Sequence, residues 1–348
     1  MNVTRRLSVA LFACCSLAVL PSVAAAEEAP PVISPAPTPV PALGALKLSI
    51  QRVGGKPLFA RVGAKVVFRG AVTPYVAGQT VQVTFLRGGR ALGTETVPVT
   101  PLGTGARGQI KASFSSSEAG PVKARAAHLS TPQQAAFGAT SKTVQIVHEN
   151  VAPGSHGQSV RLLQRELAAM HYATPVSGNF DEATGRALVA YRKMTGLERI
   201  PAAGHRVFEL LARGAGHFHV RYRHDGRHVE ANLTKQVLAE IEPGGKIHAI
   251  YTTSSGKPST PTVIGRFTVY SKTPGTNSEG MVDSNYFIRG YAIHGYAEVP
   301  TYAASHGCLR VPIPDAPAIY VWVQYGTPVD VYFEDGGGSA RVRGDAGP

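Results

Sequence analysis

Residues Ser305 to Arg310 read Ser-His-Gly-Cys-Leu-Arg, and residues Ile293 to Gly295, a short distance upstream, read Ile-His-Gly. Of the three cysteines in the chain, Cys308 is the only one beyond the first 15 residues. Its neighbours are glycine and histidine, so the thiol does not lie in an apolar run. A single thiol with no intrachain disulfide partner, set beside histidines, is typical of a reactive cysteine. These two segments therefore predict a chemical site at Cys308.

The N-terminus has the pattern of a secretory signal peptide over residues 1–26. Arg5 and Arg6 precede an apolar run, and residues 24–26 are alanines suited to cleavage. Lipidation at Cys14 is an alternative, because the residues before it loosely resemble a lipoprotein cleavage box. No later stretch approaches the roughly 20 apolar residues of a membrane-spanning helix. The sequence predicts an exported protein of the periplasm or cell wall, with no stable membrane span.

The formal net charge of the chain is +13 at neutral pH. A basic exported protein is attracted to anionic wall polymers, lipid head groups or acidic peptides. Nucleic acid is disfavoured as a partner, because of the predicted export and because the sequence has no basic helix and no basic run with interleaved aromatic residues. The alternative is a scattered, solvated basic surface without a specific partner.

The chain after the signal changes from a proline-rich linker to strands. Six prolines lie between Ala29 and Pro41, which predicts an extended tether over residues 27–44. Residues 45–148 carry short runs of β-branched and aromatic residues separated by Gly and Pro, which predicts a β-sandwich. Without a cysteine pair, the prediction is limited to an immunoglobulin-like spacer or binding module. The strand candidates are residues 65–69, 80–85, 108–114, 122–126 and 143–147.

Residues 154–214 have the periodicity of helices. Apolar residues recur at spacings of three and four between Val160 and Met170, and Asp181 stands at the start of a second helical pattern. A third short helix is predicted over about residues 207–211. Together these segments predict a small three-helix bundle.

The order of residues in this bundle resembles the peptidoglycan-binding module of many wall enzymes. Two features depart from that pattern: Arg192-Lys193 stands where a Gln is common, and the turn before the third helix is stretched. The resemblance implies that residues 154–214 bind peptidoglycan, and a structural spacer without a ligand is the alternative. The matching residues are Gly157 to Val160, Leu163-Gln164, Leu167, Ser177 to Asp181, Thr184, Ala187 and Leu197.

Residues 217–333 return to strand patterning and predict a mostly β catalytic domain with one short helix at about residues 316–324. Residues 271–284, rich in Gly, Ser, Thr and Asn, predict a mobile loop over the cleft. Residues 334–348 predict a flexible C-terminal tail. The strand candidates are residues 228–233, 236–240, 246–251, 265–270, 285–293 and 329–332.

The chemistry at Cys308 needs a base, because the thiolate and not the thiol is the nucleophile. His306 is two residues away in sequence and His294 is fourteen residues upstream. Residues two apart share a face in a strand but diverge on a tight turn. A base on a neighbouring strand escapes that constraint, so the sequence distance does not count against His294.

Two neighbours of the cysteine suggest how a substrate is held. Gly307 removes a side chain where backbone must approach closely, and the amides of Gly307 and Cys308 are expected to be free to receive an oxyanion. The guanidinium of Arg310 suits a substrate carboxylate through two parallel hydrogen bonds. Arg310 as a brace for the loop is the alternative.

The constellation resembles the YkuD-type L,D-transpeptidase catalytic domain from about Val229 to Tyr332. The signature of that family is a His-Gly pair followed by a Ser/Thr-His-Gly-Cys-x-Arg block, and both halves are unbroken here. Upstream, Gly256-Lys257-Pro258 and Gly265-Arg266-Phe267 match the run before the site. Two features depart from the commoner form, a trimmed segment between His294 and Cys308 and a lengthened run after Thr260.

The resemblance implies a role for each residue of the signature. Cys308 would attack a tetrapeptide stem and release D-Ala, and His294 would act as proton donor and acceptor. The carbonyl of Gly295 would orient the imidazole, and Gly307 would form the oxyanion hole. The remaining roles fall to residues that bind substrate, shape the pocket or brace the loop, namely Ser305, His306 and Arg310.

The resemblance implies no metal or organic cofactor. The histidines at 217, 219, 224 and 228 lie in a basic stretch without cysteine or paired carboxylates, which predicts no metal site there. A hydrolase that releases the same Cys308 thioester with water is an alternative to the transpeptidase. A non-catalytic wall-binding protein is the third reading.

Overall fold

The structure, a computed structural model, describes residues 40–51 and 53–336. The predicted signal peptide, residues 27–39 of the predicted linker and residues 337–348 of the predicted tail lie outside the described residues. From Pro41 onward the described chain forms one compact unit. Within these residues, no helix is both long enough and apolar enough to cross a membrane.

The N-terminal part of this unit consists of two sheets that enclose one apolar core. Its strands are β1 (Ala45–Gln51), β2 (Phe59–Arg61), β3 (Val66–Thr73), β4 (Thr80–Arg87), β5 (Arg90–Pro98), β6 (Thr100–Leu102), β7 (Arg107–Phe114), β8 (Gly120–His128), β9 (Phe137–Thr140) and β10 (Val144–Val147). One sheet has the order β1-β3-β7-β6 and the other β2-β10-β8-β4-β5, with β9 beside β8. Alternating burial along β3 and β4 follows the predicted pattern. An immunoglobulin-like topology stays a prediction.

Three helices follow, α1 (Gln158–Ala169), α2 (Glu182–Met194) and α3 (His205–Ala212). Asp181 caps α2, because its carboxylate accepts a 2.7 Å hydrogen bond from the amide of Thr184. The buried amide of Gln164 bonds to the turn before α2, accepting from Gly178 N at 2.7 Å and donating to Asn179 O at 2.9 Å. This turn is therefore ordered by a side chain of α1.

The C-terminal part is built from two sheets and little helix, and the prediction of a mostly β catalytic region is confirmed. A five-stranded sheet has the order β13-β12-β11-β19-β14 and a four-stranded sheet the order β15-β16-β17-β18. Its strands are β11 (His228–Asn232), β12 (Val237–Glu242), β13 (Lys246–Thr252), β14 (Gly265–Thr268), β15 (Ser271–Thr276), β16 (Val282–Ile288), β17 (Tyr291–Tyr296), β18 (Leu309–Pro312) and β19 (Pro328–Tyr332). A 3-10 turn (Ile313–Asp315) leads into α4 (Ala316–Trp322).

Two predictions in this part are wrong. Residues 285–293, predicted as one strand, belong to β16 and β17, and Arg289 makes the turn between them with a φ of 48°. Residues 271–284, predicted as a mobile loop, form the hairpin of β15 and β16. The residues of β15 are partly or fully exposed, so burial imposes no alternation on its sequence, and pairing with β16 makes it a strand.

The three helices and the five-stranded sheet share one apolar core. Val237, Ala239 and Ile241 face the helices from β12, whereas Leu238 faces the four-stranded sheet. Backbone bonds join the chain after α1 to β13, with Ile250 N donating to His171 O at 2.8 Å. The helical segment is thus packed on the catalytic region as a continuous layer, not held beside it on a tether.

Candidate active site

The parallel pairing of β17 and β18 sets which side chains meet at the site. Ile293 is opposite Leu309 and His294 is opposite Arg310. Side chains alternate along a strand, so Ile293 and Leu309 enter the core, where both are fully buried. His294 and Arg310 take the other face, and Cys308 immediately precedes β18 on that same face.

A cavity of about 250 Å³ lies on this face. It brings together His294, Ser305, His306, Cys308 and Arg310, all of which were predicted from the sequence. Glu279, Met281 and Tyr296 complete its lining and were not predicted. The first two come from the tip of the β15–β16 hairpin. This hairpin was not predicted, because its sequence lacks the apolar alternation that indicates a strand.

The orientation of the His294 ring is set by its neighbour. Its Nδ1 lies 2.9 Å from the carbonyl oxygen of Gly295, and a carbonyl only accepts, so the proton of a neutral ring is on Nδ1. The Nε2 atom is then the basic nitrogen. Burial lowers the pKa of His294, with Arg310 adding to that direction and the Gly295 contact opposing it. The neutral imidazole is therefore the favoured form.

Cys308 is a partly buried free thiol. Its Sγ lies 3.7 Å from the carbonyl oxygen of Gly290. Burial raises the pKa of Cys308, while the backbone amide of Ala292 and the charge of Arg310 act in the lowering direction. The resting group is therefore a thiol, which needs a base before it can attack.

Ser305 organises the turn that carries the cysteine. Its fully buried hydroxyl donates to Cys308 O at 2.6 Å and accepts from Gly307 N at 3.0 Å. The expectation that the Gly307 amide is free for an oxyanion is wrong for this structure, because that amide is bonded to the Ser305 hydroxyl. A side chain at Gly307 is excluded on two grounds: φ is +123°, and an added Cβ would lie 1.8 Å from the Tyr291 ring.

Arg310 and His306, which both line the pocket, have different surroundings. The guanidinium of Arg310 lies 4.0 Å from the centre of the Tyr296 ring. His306 is exposed, and its Nε2 lies 3.2 Å from Nζ of Lys257. A lysine ammonium only donates, so this contact occupies the acceptor nitrogen of His306. His306 therefore lies at the rim, and His294 is the better placed base.

Gly295 makes close contacts behind the histidine. An added Cβ there would lie 2.8 Å from the Cβ of Ala316 and 3.2 Å from the Cα of Ile313. The adjacent Asp315 accepts three hydrogen bonds from Arg186 of α2, at 2.9, 3.0 and 3.1 Å. The segment behind His294 is thereby joined to the helical layer.

A second cavity, of about 880 Å³, lies between α2 and the strand ends of the catalytic region. Phe180, Arg186 and Val189 line it from the helical side, and Ile313 lines it from the opposite side. Tyr296 lines both cavities. The sequence offered no signal for this groove, because its walls come from segments more than 100 residues apart.

Among the described residues, no group of three or more His, Cys, Asp or Glu side chains is arranged to hold a metal ion. His228, one of the four clustered histidines, bonds to Gly226 O at 2.8 Å through Nδ1. Its Nε2 lies 3.3 Å from Glu230. Both ring nitrogens of His228 therefore have neighbours within the protein.

Residues 226–331 match the model of the YkuD family, described as an L,D-transpeptidase catalytic domain. The chain is similar to the crystal structure of an L,D-transpeptidase from Xylanimonas cellulosilytica, with 31% sequence identity and a TM-score of 0.50. That match covers 53% of this chain and 98% of the other.

Two further solved structures are similar at lower scores. One is a mutant L,D-transpeptidase from Enterococcus faecium, with 27% identity and a TM-score of 0.28 over 31% of this chain and 50% of that chain. The other is an L,D-transpeptidase from Stackebrandtia nassauensis, with 19% identity and a TM-score of 0.35 over 55% and 96%. A comparison with curated protein sequences gave no match.

Proposed function

Because the chain belongs to the YkuD family and residues 226–331 are its L,D-transpeptidase catalytic domain, we propose that it is an exported enzyme that crosslinks peptidoglycan stem peptides through Cys308. One observation carries the proposal. A buried imidazole with its Nδ1 proton held by Gly295 O shares a small pocket with the free thiol. General-base activation requires the base and the thiol in one pocket, and the Cys308 thiol, which contacts Gly290 O at rest, has to turn toward Nε2 to give up its proton.

The first half of the proposed reaction is acylation. The Cys308 thiol transfers its proton to Nε2 of His294, and the sulfur attacks the carbonyl of the diaminopimelate or lysine residue in a tetrapeptide stem. The C–S bond forms, the C–N bond to D-Ala breaks, and the proton on His294 passes to the departing amine. A thioester remains on Cys308.

The second half depends on the acceptor. In transpeptidation, an amine of a neighbouring stem attacks the thioester, loses its proton to His294 and releases the thiol with a new crosslink. In the alternative, water takes the place of the amine and the enzyme is an L,D-carboxypeptidase or endopeptidase. Both reactions use the same acylation step and no metal or organic cofactor.

Three further residues have proposed roles in this reaction. Arg310, with its guanidinium on the pocket wall, is suited to a substrate carboxylate. Ser305 holds the turn of Cys308 through its two hydrogen bonds. For Gly307 N–H to stabilise an oxyanion, its bond to the Ser305 hydroxyl has to be exchanged for one to substrate during acylation.

One experiment separates the candidate activities. Purified protein is incubated with stem tetrapeptide muropeptides and the products are analysed by mass. Crosslinked dimers support the transpeptidase, and shortened monomers support the hydrolase. No change in mass supports a non-catalytic wall-binding protein.

The proposed location is the periplasm or cell wall, and the N-terminal sequence supports it. The mass of the mature N-terminus tests this. Cleavage near residue 26 supports a simple signal peptide. A lipid-modified N-terminus at Cys14 would support the lipoprotein alternative.

The groove beside the active site supports a wall-binding role for the helical segment. Phe180 and Tyr296 are among the lining residues, the groove is large enough for part of a polymer, and it meets the Cys308 pocket at Tyr296. Apolar and aromatic linings of this kind are usual for ligand sites.

Filling this groove tests the wall-binding role. We expect Val189→Trp to weaken activity on polymeric sacculi about tenfold, while activity on soluble tetrapeptide changes less than about twofold. Val321→Trp on the exposed face of α4 is the matched control. Equal activity of the two variants on sacculi would rule out the groove as a polymer site.

The hairpin tip over the pocket carries another prediction. Asn277 Oδ1 accepts hydrogen bonds from the amides of Glu279 and Met281, at 3.0 and 2.9 Å, so the tip is a defined turn. Shortening it removes one wall of the pocket but leaves Cys308 and His294 in place. We expect the Michaelis constant for tetrapeptide to rise by about tenfold or more and turnover to fall less. Steady-state kinetics measure both, and an unchanged Michaelis constant would contradict the prediction.

A further inference from the structure

Lys193, near the end of α2, places an ammonium in the interior. The residue is 2% exposed. Its Nζ donates hydrogen bonds to Thr252 Oγ1 at 2.7 Å and to the carbonyl oxygens of Gln236 and Thr253 at 2.9 Å each. All three partners are neutral oxygens of the catalytic region. A side chain of the helical segment thus crosses the shared core to hold backbone on the other side.

Burying the Lys193 ammonium costs free energy, because the charge loses its hydration. Burial lowers the pKa of Lys193 to about 7, and the nearby charge of Arg199 acts in the same direction. An apolar side chain at this position would avoid the desolvation of a charge. A lysine that makes three hydrogen bonds at such a cost indicates that the positions of its partners matter.

One of those partners, Gln236, is connected by hydrogen bonds to the turn of Ser305 to Cys308. Gln236 exchanges two side-chain bonds with Ser255: Ser255 N donates to Oε1 at 2.9 Å, and Nε2 donates to Ser255 Oγ at 2.7 Å. The carbonyl of Ser255 in turn accepts the amide of Ser305 at 2.9 Å. Ser305 is the residue whose hydroxyl bonds to both Gly307 and Cys308.

A second branch reaches the other side of the nucleophile. The hydroxyl of Thr253 donates to Arg310 O at 2.7 Å. Ser254 and Arg310 exchange backbone bonds at 2.9 and 3.0 Å. The segment held by Lys193 therefore contacts the chain both before and after Cys308.

We propose that Lys193 is a positioning residue that acts from α2, through Gln236 and residues 252–255, to hold Cys308 where it can be activated by His294. This inference rests on the proposed function of Cys308 as the nucleophile. It makes the helical segment a part of the catalytic unit, in addition to any role in binding the wall. It also gives a physical role to Lys193, one of the two residues at which the sequence departs from the wall-binding module.

A purely structural lysine would affect stability alone, so the readouts have to report on the cysteine. Lys193 does not line the Cys308 pocket. Its loss should therefore lower turnover and leave the Michaelis constant nearly unchanged. Alkylation of Cys308 by iodoacetamide adds a readout that needs no substrate.

The experiment compares Lys193→Met with Lys193→Arg, which retains donors, and with Lys246→Met, which removes an exposed lysine from β13, the strand that carries Thr252. For Lys193→Met we expect acylation by stem tetrapeptide to slow by about 100-fold, the order that accompanies a displacement of 1 Å. The Michaelis constant should stay within about twofold. Lys193→Arg should recover part of the rate, and Lys246→Met should match the parent.

Ser255→Ala is the second variant, because it removes one of the two bonds between Gln236 and Ser255 and leaves Lys193 in place. It should slow acylation in the same direction, and its effect should not add fully to that of Lys193→Met. A folded Lys193→Met protein with parental acylation and alkylation rates would overturn the proposal. So would full additivity of the two variants.

The outcomes also separate this proposal from the proposed function. If the parent protein does not turn over tetrapeptide, the function fails, and the alkylation rates of Cys308 still test Lys193. If the parent is active and Lys193→Met equals it in both readouts, only the positioning role fails.

Discussion

Replacing Cys308 with alanine is expected to lower the rate of acyl transfer by at least about 10⁴-fold, because no other thiol is available among the described residues to carry the acyl group. The measurement is the rate of product formation from stem tetrapeptides, together with the mass of the intact protein. The parent should gain the mass of the acyl group, and the variant should not. A variant that kept full activity would remove Cys308 as the nucleophile.

Cys308→Ala should keep its fold, which makes the loss interpretable. The side chain is only partly buried. The hydrogen bond that orders the turn is accepted by the backbone carbonyl of Cys308, which alanine retains. Thermal unfolding of parent and variant should therefore agree within a few degrees. A large drop in the unfolding temperature would show that the thiol also packs structurally, and the activity loss would then need correction for the folded fraction.

Replacing His294 with glutamine is expected to slow acylation by about 10²- to 10⁴-fold, the usual contribution of a positioned base. Glutamine retains hydrogen-bonding capacity close to Gly295 O but cannot take the proton of Cys308. His306→Gln is the matched control, because that ring lies exposed at the rim. A larger loss in His306→Gln than in His294→Gln would reverse the assignment of the base.

The same variant pair tests the pH dependence of the site. Burial lowers the pKa of His294, so the ring stays neutral to a pH below its ordinary value of about 6.5. The acylation rate of the parent should fall as pH decreases through that lowered pKa. His294→Gln should lack this decrease, whereas His306→Gln should retain it. An acid limb centred above about 6.5 in the parent would contradict the assignment.

The lowered pKa of His294 should also make the free energy of unfolding depend on pH. Between the lowered pKa of His294 and about 6.5, this histidine is protonated to a greater extent in the unfolded chain than in the folded chain. The contribution of His294 to the free energy of unfolding therefore decreases as pH falls through that window. His294→Gln should reduce this dependence on pH in denaturant unfolding.

The residues that meet in the Cys308 pocket were largely predictable from the sequence. Cys308 and His294 were both named from short motifs, and the structure places them in one pocket with Arg310. Motifs of this kind are local in sequence, because the turn around the nucleophile and the pair behind the base are each formed by consecutive residues. The hairpin tip with Glu279 and Met281 was missed, because an exposed strand carries no apolar alternation.

The hydrogen-bond partner of the Gly307 amide could not be predicted from the sequence, which led us to expect a free amide there. Its partner is the hydroxyl of Ser305, two residues away, and a hydroxyl can rotate toward either of several groups. Sequence indicates that glycine is needed at this position, and the φ of +123° agrees with that need. The sequence does not indicate which acceptor the Gly307 amide bonds to.

The amino-acid sequence by itself predicted Cys308 as the nucleophile and, through its resemblance to the YkuD signature, His294 as the base, and it determined the mostly β character of the region that holds them, since these depend on local motifs and on the period of apolar residues. Only the tertiary structure decided that the helical segment shares a core with the catalytic sheet, that a groove forms between them, and that Lys193 reaches the chain around Cys308. These features join residues far apart in the chain, and they depend on which faces pack together, which no single stretch of sequence encodes.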